Sequence, residues 1–128
     1  MRHIKTGTQR GFFKVLASSD SAQAAMMVLR PGQKSGEDVE NEHPNAEQWL
    51  FVVSGSGTAR VGKRRVVLHP NSLLLIERDE RHQVENTGRR RPLITLNFYV
   101  PPAYDARGEV RLRAKGLSKA LADVVRGE

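Results

Sequence analysis

Short apolar runs recur along this chain, and each is closed within a few residues by a Gly, Pro, Ser or Asn turn signal. Gly11–Leu16 carries Phe12, Phe13, Val15 and Leu16, and Ala22–Leu29 stops at Pro31-Gly32. Trp49–Val53 runs into Ser54-Gly55-Ser56-Gly57, and Thr58–Val61 into Gly62-Lys63. Val66–Leu68 precedes the turn Pro70-Asn71-Ser72, from which Leu73–Ile76 departs. Gln83–Glu85 is closed by Asn86-Thr87-Gly88, and Leu93–Val100 by Pro101-Pro102. Runs this short cannot make helices of ordinary length, and their even spacing predicts an all-β sandwich or barrel. Only the tail has helical spacing. Leu117, Leu121, Val124 and Val125 follow Ser118 as a cap, so a short C-terminal helix is expected to pack over one end of the barrel.

A length of 128 residues suits one domain, with a barrel core over about 11–102 and a tail over 105–128. Cysteine is absent, which removes disulfides and thiolate metal sites, so any metal must be held by His, carboxylate or amide groups. The 21 Lys and Arg against 14 Asp and Glu give a formal charge of +7, a balance that raises nucleic acid as a partner. The distribution argues against it. Lys63-Arg64-Arg65 and Arg89-Arg90-Arg91 sit at turns, with no aromatic residues interleaved to stack on bases. No apolar run reaches membrane-spanning length, and the N-terminal residues Met1–Thr6 have no signal-peptide core, so the expected compartment is the cytosol.

Two strands lack the polar alternation of a sheet wet on one side: Ala24–Leu29 and Trp49–Val53. Both faces must then be covered. In a barrel of this size the core covers one, and a second copy of the chain is the expected cover for the other. The homodimer face would carry Trp49, Phe51 and Val53, opposite Gln48, with Met27 and Leu29 extending it.

The segment from Pro31-Gly32 through Glu37–Gln48 to Gly55, together with Pro70-Asn71-Ser72 and His82-Gln83-Val84-Glu85-Asn86, resembles the two signatures of the cupin superfamily. Aligned on Gly55, Gln48 stands where that family has a Glu, His43 on its second His and Asn41 on its first. Pro70, with Ser72 in place of a Gly, and His82 with Asn86 match the second signature. The close of the last strand, Tyr99-Val100-Pro101-Pro102-Ala103-Tyr104, is similar to that of small stand-alone members.

This resemblance implies a double-stranded β-helix, two antiparallel sheets in jelly-roll order, with a divalent transition metal (Mn, Fe, Ni, Cu or Zn) inside the barrel. Its ligands would be His43, Gln48, His82 and Asn41, with Glu42 or Glu40 as alternatives to Asn41 should the loop bring a carboxylate inward. The two amides are weaker ligands than the family's His and Glu, so a metal-free pocket stands beside the metal site as a second reading. Strand alternation puts Gln48 on the face away from Glu47. Asn97 and Tyr99 would line the pocket if the polar face of the last strand looks inward, and be solvated if it looks outward. The implied function is a metal-dependent enzyme, dioxygenase- or isomerase-like, on an oxygen-rich small molecule. The alternative is a non-catalytic module that binds or senses a small ligand.

Overall fold

The computed structural model describes residues 1–8, 11–36, 39 and 43–109. After a 3-10 turn at Thr6–Thr8, eight strands follow: β1 Phe13–Ser18, β2 Gln23–Leu29, β3 Glu47–Ser54, β4 Gly57–Val61, β5 Arg64–Leu68, β6 Leu73–Ile76, β7 His82–Glu85 and β8 Leu93–Val100. They form a five-stranded sheet, β1-β2-β8-β3-β6, and a three-stranded sheet, β5-β4-β7, antiparallel throughout. This is the double-stranded β-helix architecture. The tail helix, like Asn41, Glu40 and Glu42, falls outside the described residues. No helix among the described residues is long and apolar enough to cross a membrane.

Alternation sorts each strand between the inside and outside of the sandwich. In β3, Gln48, Leu50 and Val52 are buried while Trp49 and Val53 are exposed. The core divides into two clusters. An aliphatic cluster gathers Met27, Leu29, Leu50, Val52, Leu68, Ile76, Val84 and Leu93. An aromatic cluster, Tyr99 and Tyr104 with Ala25, Ala46 and Ala103, fills the other part against Phe13 and Val15. Met27 and Leu29 therefore belong to the interior and not to the outer face where they were expected. The outward residues of β2 include Met26, opposite Leu96 of β8.

Strand β8 reverses the usual order. Its polar residues Thr95 and Asn97 and the amphipathic Tyr99 are buried, whereas Phe98 on the opposite face is exposed. The motif residues outside the cavity act as braces. Asn86 Nδ2 donates to the carbonyls of Leu29 (2.9 Å) and Arg91 (2.8 Å), tying the end of β2 to the β7–β8 loop. The Ser72 hydroxyl accepts the His69 N–H at 2.9 Å, closing the turn into β6. The loop after β2 is pinned along β7 by Ser35 N to Val84 O (2.8 Å) and Val84 N to Ser35 Oγ (2.9 Å).

Candidate functional site

His43 lies at the turn into β3. Ala46 N–H donates back to the His43 carbonyl at 2.9 Å, and this fold-back sets the Ala46 carbonyl 3.1 Å from His43 Nδ1. A carbonyl only accepts, so Nδ1 carries the hydrogen. His82, at the start of β7, repeats the device: its Nδ1 lies 3.0 Å from the Glu80 carbonyl. In the uncharged rings both lone pairs are therefore on Nε2. The two rings stand 4.8 Å apart between centroids, tilted by 43°.

Burial keeps both rings uncharged. Desolvation lowers the pKa of His43 against the opposing pull of its hydrogen bonds to Ala46 and Gln48. Desolvation likewise brings His82 to about 4, with the Glu80 carbonyl opposing and the neighbouring His43 lowering it further. Both folded values lie below the ordinary 6.5. As pH falls through that value, the unfolded chain takes up protons that the folded one refuses, so stability present above 6.5 is lost toward pH 4. At about 1.4 kcal/mol per unit the His82 displacement is worth on the order of 3 kcal/mol. The urea midpoint of chelator-treated protein should drop between about pH 6.5 and 5, and His82→Gln should flatten the drop. An unchanged midpoint in the native protein over that window would contradict burial of two uncharged rings.

The third member is Gln48, and its orientation is set from behind. Asn97 Nδ2 donates to Thr95 Oγ1 at 3.0 Å and faces the carbonyls of Ala25 and Thr95, both at 3.4 Å. Its Oδ1 is thereby turned to accept from Gln48 Nε2 at 2.9 Å. Gln48 Oε1 then points at His43 Nε2, 2.9 Å away. The relay is anchored on backbone carbonyls at both ends, and His43 and Gln48 meet in its middle.

Nε2 of each uncharged imidazole and Oε1 of Gln48 are atoms that could donate to a divalent metal. The donor chemistry therefore fits: two imidazoles held by carbonyls, as metal-binding histidines usually are, and one amide oxygen. Among the described residues no cluster of three or more His, Asp and Glu converges, so no carboxylate joins them there.

These groups border a cavity of about 380 Å³. Its walls are Phe13, Tyr99 and Tyr104 with Met27 and Val84, and Phe12, Ser35, Gly36, Arg107 and Gly108 complete it. Of the residues singled out from sequence, the structure brings His43, Gln48, His82 and Tyr99 to one cavity. Asn97 stands behind Gln48 as its support and does not line the space. Glu47 lies on the opposite face, accepting from Trp49 Nε1 at 3.2 Å. Sequence reasoning missed Phe13, Tyr104 and Gln23. The Tyr-x-Pro-Pro close of β8 pointed toward Tyr104, but nothing local marks Gln23, whose partners Ala103 and Tyr104 lie some 80 positions away.

The match to a cupin domain model over residues 25–99, from inside β2 to inside β8, is decisive. The chain belongs to the cupin family. It is similar to the crystal structure of BH2720 from Bacillus halodurans, with 29% identity and a TM-score of 0.70 over 93% of this chain and 87% of that one. A Klebsiella pneumoniae protein with a double-stranded β-helix domain superposes at a TM-score of 0.60, with 20% identity over 68% of this cupin and 73% of its own chain. A curated relative, the tetracenomycin polyketide synthase protein TcmJ of Streptomyces glaucescens, is 37% identical over 60 residues, 47% of this chain and 38% of its own. The chain spans less than half the length of the curated relatives it matches.

Proposed function

We propose that this cupin is a metal-dependent enzyme acting on a small oxygen-bearing molecule, with His43, His82 and Gln48 as metal ligands. The observation that carries the reading is the convergence of His43, His82 and Gln48 on one cavity, with His43 Nε2 2.9 Å from Gln48 Oε1 and the two imidazole rings 4.8 Å apart. A bound divalent metal would supply a Lewis acid with coordination positions left for substrate, because the described ligands number three. The chain's own part is to fix both imidazoles through the Ala46 and Glu80 carbonyls, to aim Gln48 through Asn97, and to wall the cavity with Phe13, Tyr99 and Tyr104. Similarity to a protein named for a polyketide synthase supports small-molecule chemistry. The competing reading, a metal-free binding module, draws on the two neutral amides at positions where the family has stronger ligands. Elemental analysis of protein purified without a His tag separates them. Close to one equivalent of a transition metal is expected. Protein that contains none and takes up none of Mn, Fe, Ni, Cu or Zn at micromolar concentration would defeat the enzyme reading.

The outer face of the large sheet supports a second copy as partner. Trp49 is flanked by Leu75 of β6 and Phe98 of β8, and Phe51 by Leu73 and Leu96, so their side chains form one continuous apolar surface. Trp49, Val53, Leu73, Leu75 and Phe98 are all more than a third exposed. Such a patch is large for a monomer, and two-fold pairing would cover both copies at once. Burying the remaining surface of Trp49 is worth on the order of 2 kcal/mol per subunit. Wild-type protein should sediment as a dimer at micromolar concentration and Trp49→Glu as a monomer. A monomeric wild type would end the proposal.

A further inference from the structure

The end of the barrel away from the cavity carries a groove that the metal reading leaves unused. Gln48 stands near one end of β3 and Gly55 just past the other, roughly 20 Å along the strand. Around Gly55 three turns meet: β3–β4 at Gly55 and Ser56, β5–β6 at His69 and Pro70, and β7–β8 at Gly88–Arg91. Strand register explains the meeting. Gly57 pairs with Leu68 and Thr58 with Glu85, so Ser56, His69 and Asn86 emerge side by side from the small sheet. Together the turns border a space of about 500 Å³.

The backbone of each turn is fixed in advance. Asn86, fully buried, donates from Nδ2 to the Arg91 carbonyl (2.8 Å) and accepts the Gly88 N–H at Oδ1 (2.9 Å), which holds the arginine loop at both ends. The His69 turn is tied to β3 by Asn71 N–H to the Val52 carbonyl and Val52 N–H to the Ser72 carbonyl, both 2.9 Å. Gly55 packs directly on Pro92, the residue after Arg91. Binding here would cost side-chain freedom and little backbone freedom. The charge of the groove has one sign. Arg89, Arg90, Arg91 and His69 line it, and among the described residues no Asp or Glu does. None of the three guanidinium groups has a hydrogen-bond or ion-pair partner among the described residues. A concave surface of one sign concentrates counter-ions, and like charges on a fixed backbone repel until an anion lies between them. Guanidinium forks match phosphate oxygens, and phosphate places more than one negative charge on a single small centre. About 150 Å³ holds benzene, so the groove has room for a phosphate with an organic body attached. The other basic run, Lys63-Arg64-Arg65, lies at the far end of the small sheet, where Val61 pairs with Arg64. The gap between the two runs breaks the continuous basic track that a nucleic-acid backbone follows, and favours a compact anion.

We infer that this groove binds a small phosphorylated molecule, with Arg89, Arg90 and Arg91 as the phosphate receptors and Ser56 and His69 as further hydrogen-bonding groups beside them.

Calorimetry with sodium diphosphate on the full chain, as purified and after chelator treatment, tests the site. Diphosphate should bind equally in both samples, more tightly than citrate, and more weakly as salt rises. Arg89→Ala combined with Arg91→Ala should weaken it about a hundredfold, since two charge-assisted contacts are lost. Lys63→Ala combined with Arg65→Ala removes the same charge at the far end of the small sheet and should change the affinity less than about twofold. Hydrogen exchange on the wild-type protein locates the site without any variant: diphosphate should slow exchange around Gly55, His69 and Gly88 and leave residues 60–65 unchanged. Equal weakening by the two double variants would mean diffuse attraction to a basic protein and overturns the inference. Binding lost on chelator treatment would place the diphosphate on a metal, and overturns it too. So do absence of binding at millimolar diphosphate, protection elsewhere in the chain, or tighter binding of citrate or of a short oligothymidylate.

Discussion

His82→Ala should lower zinc affinity at least a hundredfold while leaving the fold intact. His82 is one of two imidazoles in a site whose third described donor is only an amide. Removing a hydrogen-bond partner behind a ligand already costs ten- to a hundredfold, and removing the ligand costs more. The cavity wall at that position is partly open, so alanine leaves room that water can occupy rather than a hole in packed apolar core. Asn97→Leu gives the complementary result. It deletes the group that turns Gln48, so affinity should fall by about ten- to a hundredfold although Asn97 touches no metal. Competition with a chelating dye measures both. Zinc affinity unchanged in His82→Ala would remove His82 from the site, and unchanged affinity in Asn97→Leu would show that Gln48 needs no support.

Gly55→Ala should have the largest effect on stability, more than about 3 kcal/mol. Gly55 sits in the β3–β4 turn with φ of 82°, where an L side chain is strained. A Cβ there would lie 2.2 Å from the Pro92 carbonyl oxygen and 2.9 Å from Leu93 Cα, and these are backbone atoms with no rotamer to yield. Leu93 is fully buried in the aliphatic core and pairs with the end of β2, so the displacement would spread into the large sheet. Expression chiefly as insoluble protein, or a urea midpoint well below the native one, is the expected result. A variant as stable as the native protein would mean that the β7–β8 loop can move aside freely.

The two glycine and histidine positions show why so much of this fold was legible in sequence. Gly55, Pro70 and Asn86 have geometric duties that few residues can meet, so they stand at readable spacings. The positions of the strands along the chain followed from the same turns, and β6 and β8 occur at the bounds read from sequence. The edges shifted elsewhere, as in β1, which begins at Phe13 and not Gly11 because Gly11 has φ of 99° and cannot continue a strand. His43, Gln48 and His82 could be placed because strand alternation and the paired motifs agree. β8 could not be oriented from composition. Its polar face turns inward only because Gln48 needs a buried partner in Asn97, which is a tertiary reason. The aromatic wall was hidden for the same cause. Phe13 lies more than 80 positions from Tyr99 and Tyr104, and Gln23 joins that end of the chain without any local pattern.

The position of β8 between β2 and β3 has a consequence for how this chain is made. Without residues 93–100, the five-stranded sheet is two fragments, β1 with β2 and β3 with β6, which share no strand. All the residues of those fragments leave the ribosome before the strand that joins them. Until β8 arrives, the inner edges of β2 and β3 present unpaired backbone groups, the kind of edge that invites pairing with another chain. The sheet must therefore close in one late event that brings together segments distant in sequence, the topology associated with slow folding and exposure to aggregation. Overproduction should consequently be most successful at low temperature and slow synthesis, where each emerging chain has time to insert its own β8 before it meets another's.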